Sequence, residues 1–335
     1  LPGGTIVDRV AQWSAEDRAD LFREAGAEKG MHPAIVEKDF WVCWVLGRLF
    51  ASETIAPKIL FKGGTSLSKV FGLIERFSED IDLILDWNEV TGDDPEADRS
   101  RTKQDGFNKE IRIETQRYLM DDFLPAVQIA VGDTCSTVIE DNPEIILLRY
   151  PASFSLDYLR AEILLEIGPL ALWIPNAEYW ITPYAAEALP DVFDKPLCRV
   201  RAIKAERSFW EKITILHHEA HRPDDNAQPR GYSRHYYDVS RMAKSPLKTV
   251  AFEQLDLLAS VVAFKDKFYP RGWAKYDLAK PGTTKLVPPD LIRRSLDADY
   301  AGMRQMIYGE YPAFSDILAD IAQLESEINN LDAEA

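Results

Sequence analysis

Phe61-Lys62-Gly63-Gly64-Thr65-Ser66-Leu67-Ser68-Lys69, followed by Arg76-Phe77-Ser78-Glu79-Asp80-Ile81-Asp82-Leu83-Ile84-Leu85, constrains this chain more than any other stretch. Lys58 to Phe61 reads as a short buried strand, and the glycine pair allows a tight turn. Thr65 to Leu73 carries helical spacing, with Leu67, Val70, Phe71 and Ile74 on one side. A second strand then alternates Asp80 and Asp82 with Ile81 and Leu83. Strand side chains at i and i+2 share a face, so the two carboxylates project together while the apolar pair enters the core. Adjacent carboxylates repel unless a cation sits between them, and Mg²⁺ is the hard cation that accompanies phosphates. Upstream, backbone N–H groups of Gly63, Gly64, Thr65 and Ser66 are bared at a helix start, where a phosphate can be held. The order strand, glycine turn, helix, Asp-x-Asp strand describes a metal–nucleotide site.

This order resembles the nucleotidyltransferase superfamily with the DNA polymerase β-like core, although the spacer from Gly64 to Asp80 is longer than usual by about a helical turn. The fuller wording is similar to the AbiEii/AbiGii toxin family, as is Glu37-Lys38-Asp39-Phe40-Trp41. The resemblance spans about Glu37 to Tyr276. It implies an α/β (α+β) fold: a nucleotidyltransferase core with a mixed sheet, then a mostly helical C-terminal domain. The expected division is 1–190, with N-terminal helices and an insertion near 88–125, and 191–335, which completes the active-site cleft.

The carboxylate set needs a third member from a neighbouring strand to hold a metal on two sides. Leu159 to Gly168, read as a strand, puts Glu162 and Glu166 on one face. The resemblance selects Glu166 in Leu165-Glu166-Ile167-Gly168, with Glu162 as competitor. In the helix Glu206 to His217, the resemblance implies that Lys212 contacts the nucleotide and offsets triphosphate charge. In Arg234-His235-Tyr236-Tyr237-Asp238 it implies that Asp238 supports the nucleotide site, with Arg234 behind it. Taken alone, Arg234 and Asp238 stand at i and i+4 and read as an intrahelical ion pair. Lys38 reads either as facing the nucleotide or, with its charged neighbours, as the outer face of a packed helix; the second is the expectation carried forward.

The remainder of the chain sets bounds. Ser14-Ala15-Glu16-Asp17 reads as a capping box opening a helix that Gly30 ends, and Pro33 opens the next. Thr102 to Met120 reads as a helix. Val127–Val131, Thr137–Ile139 and Ile145–Leu148 read as an antiparallel extension of the sheet. Arg199–Ile203 reads as a last strand or linker after a boundary near Pro183–Pro196. Helices are expected over Leu247–Phe268, Pro289–Tyr308 and Ala313 to about Leu331. His217, His218 and His221 miss the H-E-x-x-H spacing and give no third ligand, so they read as a phosphate- or partner-facing helix end. Lys267 to Tyr276 mixes aromatic and basic residues, suiting either stacking on bases or packing on helices.

Net charge is −16, which argues against a broad nucleic-acid surface. Lys195 to Lys248 nonetheless holds twelve basic against six acidic residues, +6 where the rest carries −22. That pattern fits either a focused phosphate or structured-RNA site or a solvated helical face. Cys43, Cys135 and Cys198 give no disulfide framework or zinc spacing, and Cys43 reads as core. Leu1-Pro2-Gly3-Gly4 carries no signal-peptide pattern and no apolar run spans a bilayer, so the expected location is cytoplasmic.

The expected activity is transfer of a nucleoside monophosphate from an NTP to a hydroxyl of tRNA or protein, with two Mg²⁺ at Asp80, Asp82 and Glu166. The resemblance implies the toxin of a type IV toxin–antitoxin or abortive-infection system, with an antitoxin encoded nearby. The rival readings are a catalytically idle nucleotide-binding regulator and a small-molecule nucleotidyltransferase of the antibiotic-modifying kind.

Overall fold

A computed structural model describes residues 6–78, 80–156, 159–169, 171–193 and 198–331. The Leu1–Gly4 start, Glu79 of the motif, and Lys195 and Pro196 lie outside the described residues. In order, the chain forms α1 (Ile6–Ala11), α2 (Ala15–Lys29), α3 (Pro33–Ala51), β1 (Ile59–Lys62), α4 (Gly63–Lys69), β2 (Asp80–Leu85), α5 (Arg101–Tyr118) and α6 (Leu124–Val131). Then come β3 (Ser136–Ile139), β4 (Ile145–Arg149), β5 (Glu162–Gly168), β6 (Asn176–Ile181), α7 (Tyr184–Ala188) and β7 (Cys198–Ile203). The helices α8 (Ala205–Glu219), α9 (Ser233–Ala243), α10 (Leu247–Phe252), α11 (Leu255–Phe268), α12 (Asp290–Gly302) and α13 (Phe314–Asn329) follow.

Two compact units result. The first is the chain up to Val70 together with Phe77–Ile203; the second is Phe71–Arg76 together with everything from Lys204 onward.

In the first unit seven strands form one mixed sheet in the order β3-β4-β5-β2-β1-β7-β6. The β2–β5 and β1–β7 pairs are parallel and the others antiparallel. One face is apolar throughout its centre: Phe61, Ile81, Leu83, Ile163, Leu165, Ile146 and Leu148 are all buried, in one core with α3 and α6. The opposite face therefore receives every second residue, including both aspartates. The N-terminal helices behave as their caps dictate. Ser14 Oγ accepts from the Asp17 N–H at 3.1 Å, and Gly30 closes α2 at φ +65°. The hairpin β3–β4 is antiparallel as expected, but Val127–Val131 is the helix α6. Pro125 sits in its first turn and Val127, Ala130 and Val131 enter the core at helical spacing.

The second unit is helical. Between Leu247 and Phe268 the expected single helix is broken at Glu253–Gln254 into α10 and α11, and α12 ends at Gly302, short of Tyr308. The segment Phe71–Arg76 is held there by backbone and side-chain bonds. Tyr308 and Gly309 N–H groups donate to the Glu75 carbonyl, and Arg241 pairs with the Glu75 carboxylate at 2.7 Å.

Candidate active site

The glycine turn and the Asp-x-Asp strand meet by sheet register. Lys62 at the end of β1 is paired with Asp82 on β2, Asp82 with Glu166 on β5, and Glu166 with Ile145 on β4. Directly paired residues point to the same face, so Lys62, Asp82 and Glu166 form a row across three strands. The row lines an open cavity of about 210 Å³, rimmed on the β3–β4 hairpin side by Asn142 and Glu144. Asp80 lies one step along, opposite Leu164. Glu162 lies two steps away from Glu166, opposite Arg149, whose guanidinium is 3.6 Å from its carboxylate. Of the two competing glutamates, Glu166 is therefore the one beside Asp82.

Gly63 has φ +81°, and a Cβ there would overlap the Asp82 carboxyl group. Glycine is thus required twice, by backbone conformation and by the approach of the carboxylate. Thr65 and Ser66 use their hydroxyls locally. Thr65 Oγ1 donates to the Ser78 and Asp80 carbonyls, tying α4 to the start of β2, and Ser66 Oγ donates to the Gly63 carbonyl at 2.9 Å. What these residues offer a phosphate is backbone N–H rather than hydroxyl.

Beneath the turn, Lys69 at the end of α4 is paired with Asp39 of α3 at 2.8 Å, both side chains buried. Burial would lower the Lys69 pKa, but the Asp39 carboxylate outweighs it and holds the ammonium above its ordinary value. Asp39 also accepts from the Tyr184 N–H at 2.6 Å, and the Lys69 ammonium lies 3.6 Å from the Tyr184 ring centroid. The outer-face expectation for Glu37, Lys38 and Asp39 is overturned: all three are at most 2% exposed. Glu37 accepts from the Ser153 and Phe154 N–H groups, and Lys38 donates to the Arg160 carbonyl just before β5. These charges are spent on ordering α4, the approach to β5, and the loop before it.

In the second unit a different cluster forms. Asp238 accepts a bidentate pair from Arg76 at 2.7 and 2.8 Å and a third bond from Lys212 at 2.8 Å, all three nearly or fully buried. Burial alone would raise the Asp238 pKa, yet the two cations hold it well below the carboxylate range. The Lys212 pKa is lowered, chiefly by burial and further by repulsion from Arg76, against the opposing attraction of Asp238. Arg234 is exposed and makes no ion pair with Asp238, so the i, i+4 pairing is replaced by Arg76 and Lys212. Arg76 is the residue that sequence reading left without a role, though it opens the quoted Arg-Phe-Ser motif.

The profile of the family described as "Nucleotidyl transferase AbiEii toxin, Type IV TA system" matches residues 44–320. The chain belongs to the AbiEii family. As an AbiEii nucleotidyltransferase toxin of the type IV class it takes an NTP as substrate and has an antitoxin as partner. Among solved structures it is similar to MenT4, a nucleotidyltransferase toxin from Mycobacterium tuberculosis H37Rv, at 15% identity over 94% of this chain and 97% of that one, TM-score 0.45. It is also similar to JHP933 from Helicobacter pylori, at 17% identity over 89% and 97%, TM-score 0.36. No curated protein matches the sequence.

For an AbiEii enzyme the donor chemistry suits Mg²⁺, since Asp80, Asp82 and Glu166 offer only hard oxygens. Among the described residues, no three acidic, histidine or cysteine side chains are gathered closely enough to enclose an ion. The histidines of α8 have structural partners. His217 Nδ1 accepts from the Lys285 N–H at 3.1 Å and its Nε2–H donates to the Lys275 carbonyl at 2.9 Å, while burial pushes its pKa down to about 4. His218 bonds Glu219, which also holds Arg222 at 2.7 Å. Trp273, in the aromatic–basic stretch, lies against Arg222, Arg271 and His218, so in this structure the stretch packs on α8. Among the described residues no helix is long and apolar enough to cross a membrane.

Proposed function

We propose that this AbiEii-family chain is a cytoplasmic, Mg²⁺-dependent toxin that moves a nucleoside monophosphate from an NTP to a hydroxyl of tRNA or protein. The observation carrying this reading is the row Lys62–Asp82–Glu166, with Gly63 seated against Asp82. Asp80, Asp82 and Glu166 would hold Mg²⁺, two ions in this reading, which when bound neutralise phosphate charge and ease loss of the acceptor proton. The backbone of Gly63, Gly64, Thr65 and Ser66 would cradle phosphates. Lys212 would offset triphosphate charge, with Arg234 as an exposed cation on the next helix. The cluster of Arg76, Lys212 and Asp238 supports this, because two cations against one carboxylate leave an excess positive charge. Asp238 would act by orienting those cations. The antitoxin is expected to be encoded nearby.

The test supplies each α-labelled NTP separately with Mg²⁺, total RNA and cell protein, beside Asp82→Ala. Label on a small RNA that vanishes in the variant would assign a tRNA acceptor; label on protein would assign protein nucleotidylation. Wild-type-like transfer by Asp82→Ala would sink the site assignment. Nucleotide binding with no pyrophosphate release would favour the idle regulator, and label only on an added small molecule the antibiotic-type enzyme.

A further inference from the structure

Lys62 is placed by the sheet in one row with Asp82 and Glu166. It is the last residue of β1, the N-cap of α4 and the immediate neighbour of Gly63. Its partner across the antiparallel ladder is Asp82. Residues opposed in this way have Cβ atoms roughly 5 Å apart. Lys62 also lines the same 210 Å³ cavity as Asp82 and Glu166. Among the residues lining that cavity the acidic ones are Asp82, Glu144 and Glu166, and Lys62 is the one basic residue. Its backbone is fixed by strand pairing on β1, so the position of the ammonium stem is set by the fold rather than by a loop.

We propose that Lys62 is a substrate-binding residue with two alternating partners: the carboxylate row before nucleotide arrives, and the triphosphate once metal has taken over the carboxylates. The inference rests on the nucleotidyl-transfer reading of this site and deepens it. The physical argument is charge. A cavity with three carboxylates and one ammonium repels a triphosphate until its negative charge is offset. The side chain beside the glycine turn is the lining group whose sign suits phosphate. The same ammonium, carried by the residue paired with Asp82 and lining the same cavity, would oppose the entry of a divalent cation. Lys62 therefore has opposite effects on the two ligands, which a merely structural lysine would not have.

The test uses the full chain and two binding measurements that need no turnover. Mg²⁺ alone is titrated calorimetrically into the free protein, and a non-hydrolysable NTP analogue is titrated in saturating Mg²⁺. For Lys62→Met we expect Mg²⁺ affinity without nucleotide to rise several-fold and analogue affinity to fall about tenfold, with Lys62→Arg keeping most of the analogue affinity. Analogue affinity within twofold of wild type, or both affinities falling together, would overturn the proposal. If Lys62→Met does not fold, Lys62→Gln is read by the same two constants and the same criteria. Asp82→Asn run in parallel separates the two layers: Mg²⁺ affinity unchanged in that variant refutes the carboxylate site itself, whereas Mg²⁺ affinity lost there with Lys62→Met inert refutes only the role of Lys62.

Discussion

Asp238→Asn is the substitution that most directly tests the buried cluster of the second unit. The change keeps the side-chain shape but replaces one carboxylate oxygen with an NH₂ group facing a guanidinium or an ammonium. Three charge-assisted bonds at 2.7 to 2.8 Å lose their anionic acceptor, each worth about 1.5–3 kcal/mol when its partner is charged. Arg76 and Lys212 are left buried without their counter-charge. Breaking a buried pair in this way costs ~3–5 kcal/mol, and we expect Asp238→Asn to lose that much in urea unfolding followed by circular dichroism and tryptophan emission. Trp210, on the same helix as Lys212 and fully buried, is a local reporter. Adding Lys212→Met should restore about 1 kcal/mol or more by removing the repulsion between the cations. The pH dependence follows from the depressed Asp238 pKa. Its contribution is complete above the unfolded value of about 4 and is lost only as pH falls below that, so the deficit should be equal at pH 7 and pH 5. A stability within 1 kcal/mol of wild type, or a deficit that vanishes at pH 5, would refute the reasoning. If the deficit is found, lost transfer in this variant cannot be taken as evidence that Asp238 does chemistry.

Other consequences can be checked in the same way. Lys69→Met should cost ~3–5 kcal/mol by stranding the Asp39 carboxylate, and Asp39→Asn added to it should recover part of the loss, read as a coupling of about 1–3 kcal/mol in a double-mutant cycle. Gly63→Ala should displace the Asp82 carboxylate and reduce transfer on the order of a hundredfold; wild-type turnover would show that the glycine is dispensable. His217, buried neutral with its pKa pushed down to about 4, gives stability that is complete above about pH 6.5 and is lost as pH falls toward 4. Unfolding free energies from urea titrations should therefore fall between pH 7 and 4 by on the order of 2–3 kcal/mol more in wild type than in His217→Gln.

The placement of Asp80 and Asp82 was legible because strand alternation is a local rule: the two had to share a face, and Ile81 and Leu83 had to oppose them. Choosing between Glu162 and Glu166 was not local. Both lie on one face of β5, and only the pairing of β5 with β2, more than eighty residues away in sequence, sets which one stands beside Asp82. Val127–Val131 was misread because a short β-branched run has no periodicity long enough to separate a strand from a buried helix; Pro125 was the available clue. The charges of α3 defeated the outer-face reading because their partners, Lys69, Ser153, Phe154 and Arg160, are distant in sequence. The same holds for Asp238, for which the cation one helical turn before it in sequence is Arg234 and the structural partners are Lys212 and Arg76, the latter 162 residues upstream.

Phe71–Arg76 has a consequence for how the protein is made. A ribosome emits these six residues between the glycine turn and the Asp-x-Asp strand, well before their partners Asp238, Arg241, Tyr308 and Gly309 exist. The chain crosses from one unit to the other three times, after Val70, Arg76 and Ile203. A nascent N-terminal half must therefore wait with the segment before its Asp-x-Asp strand unsupported. A truncation at Ile203 would leave that segment unsupported permanently. The segment joining the glycine turn to the Asp-x-Asp strand thus gains its partners only when nearly all of the polypeptide has been synthesised.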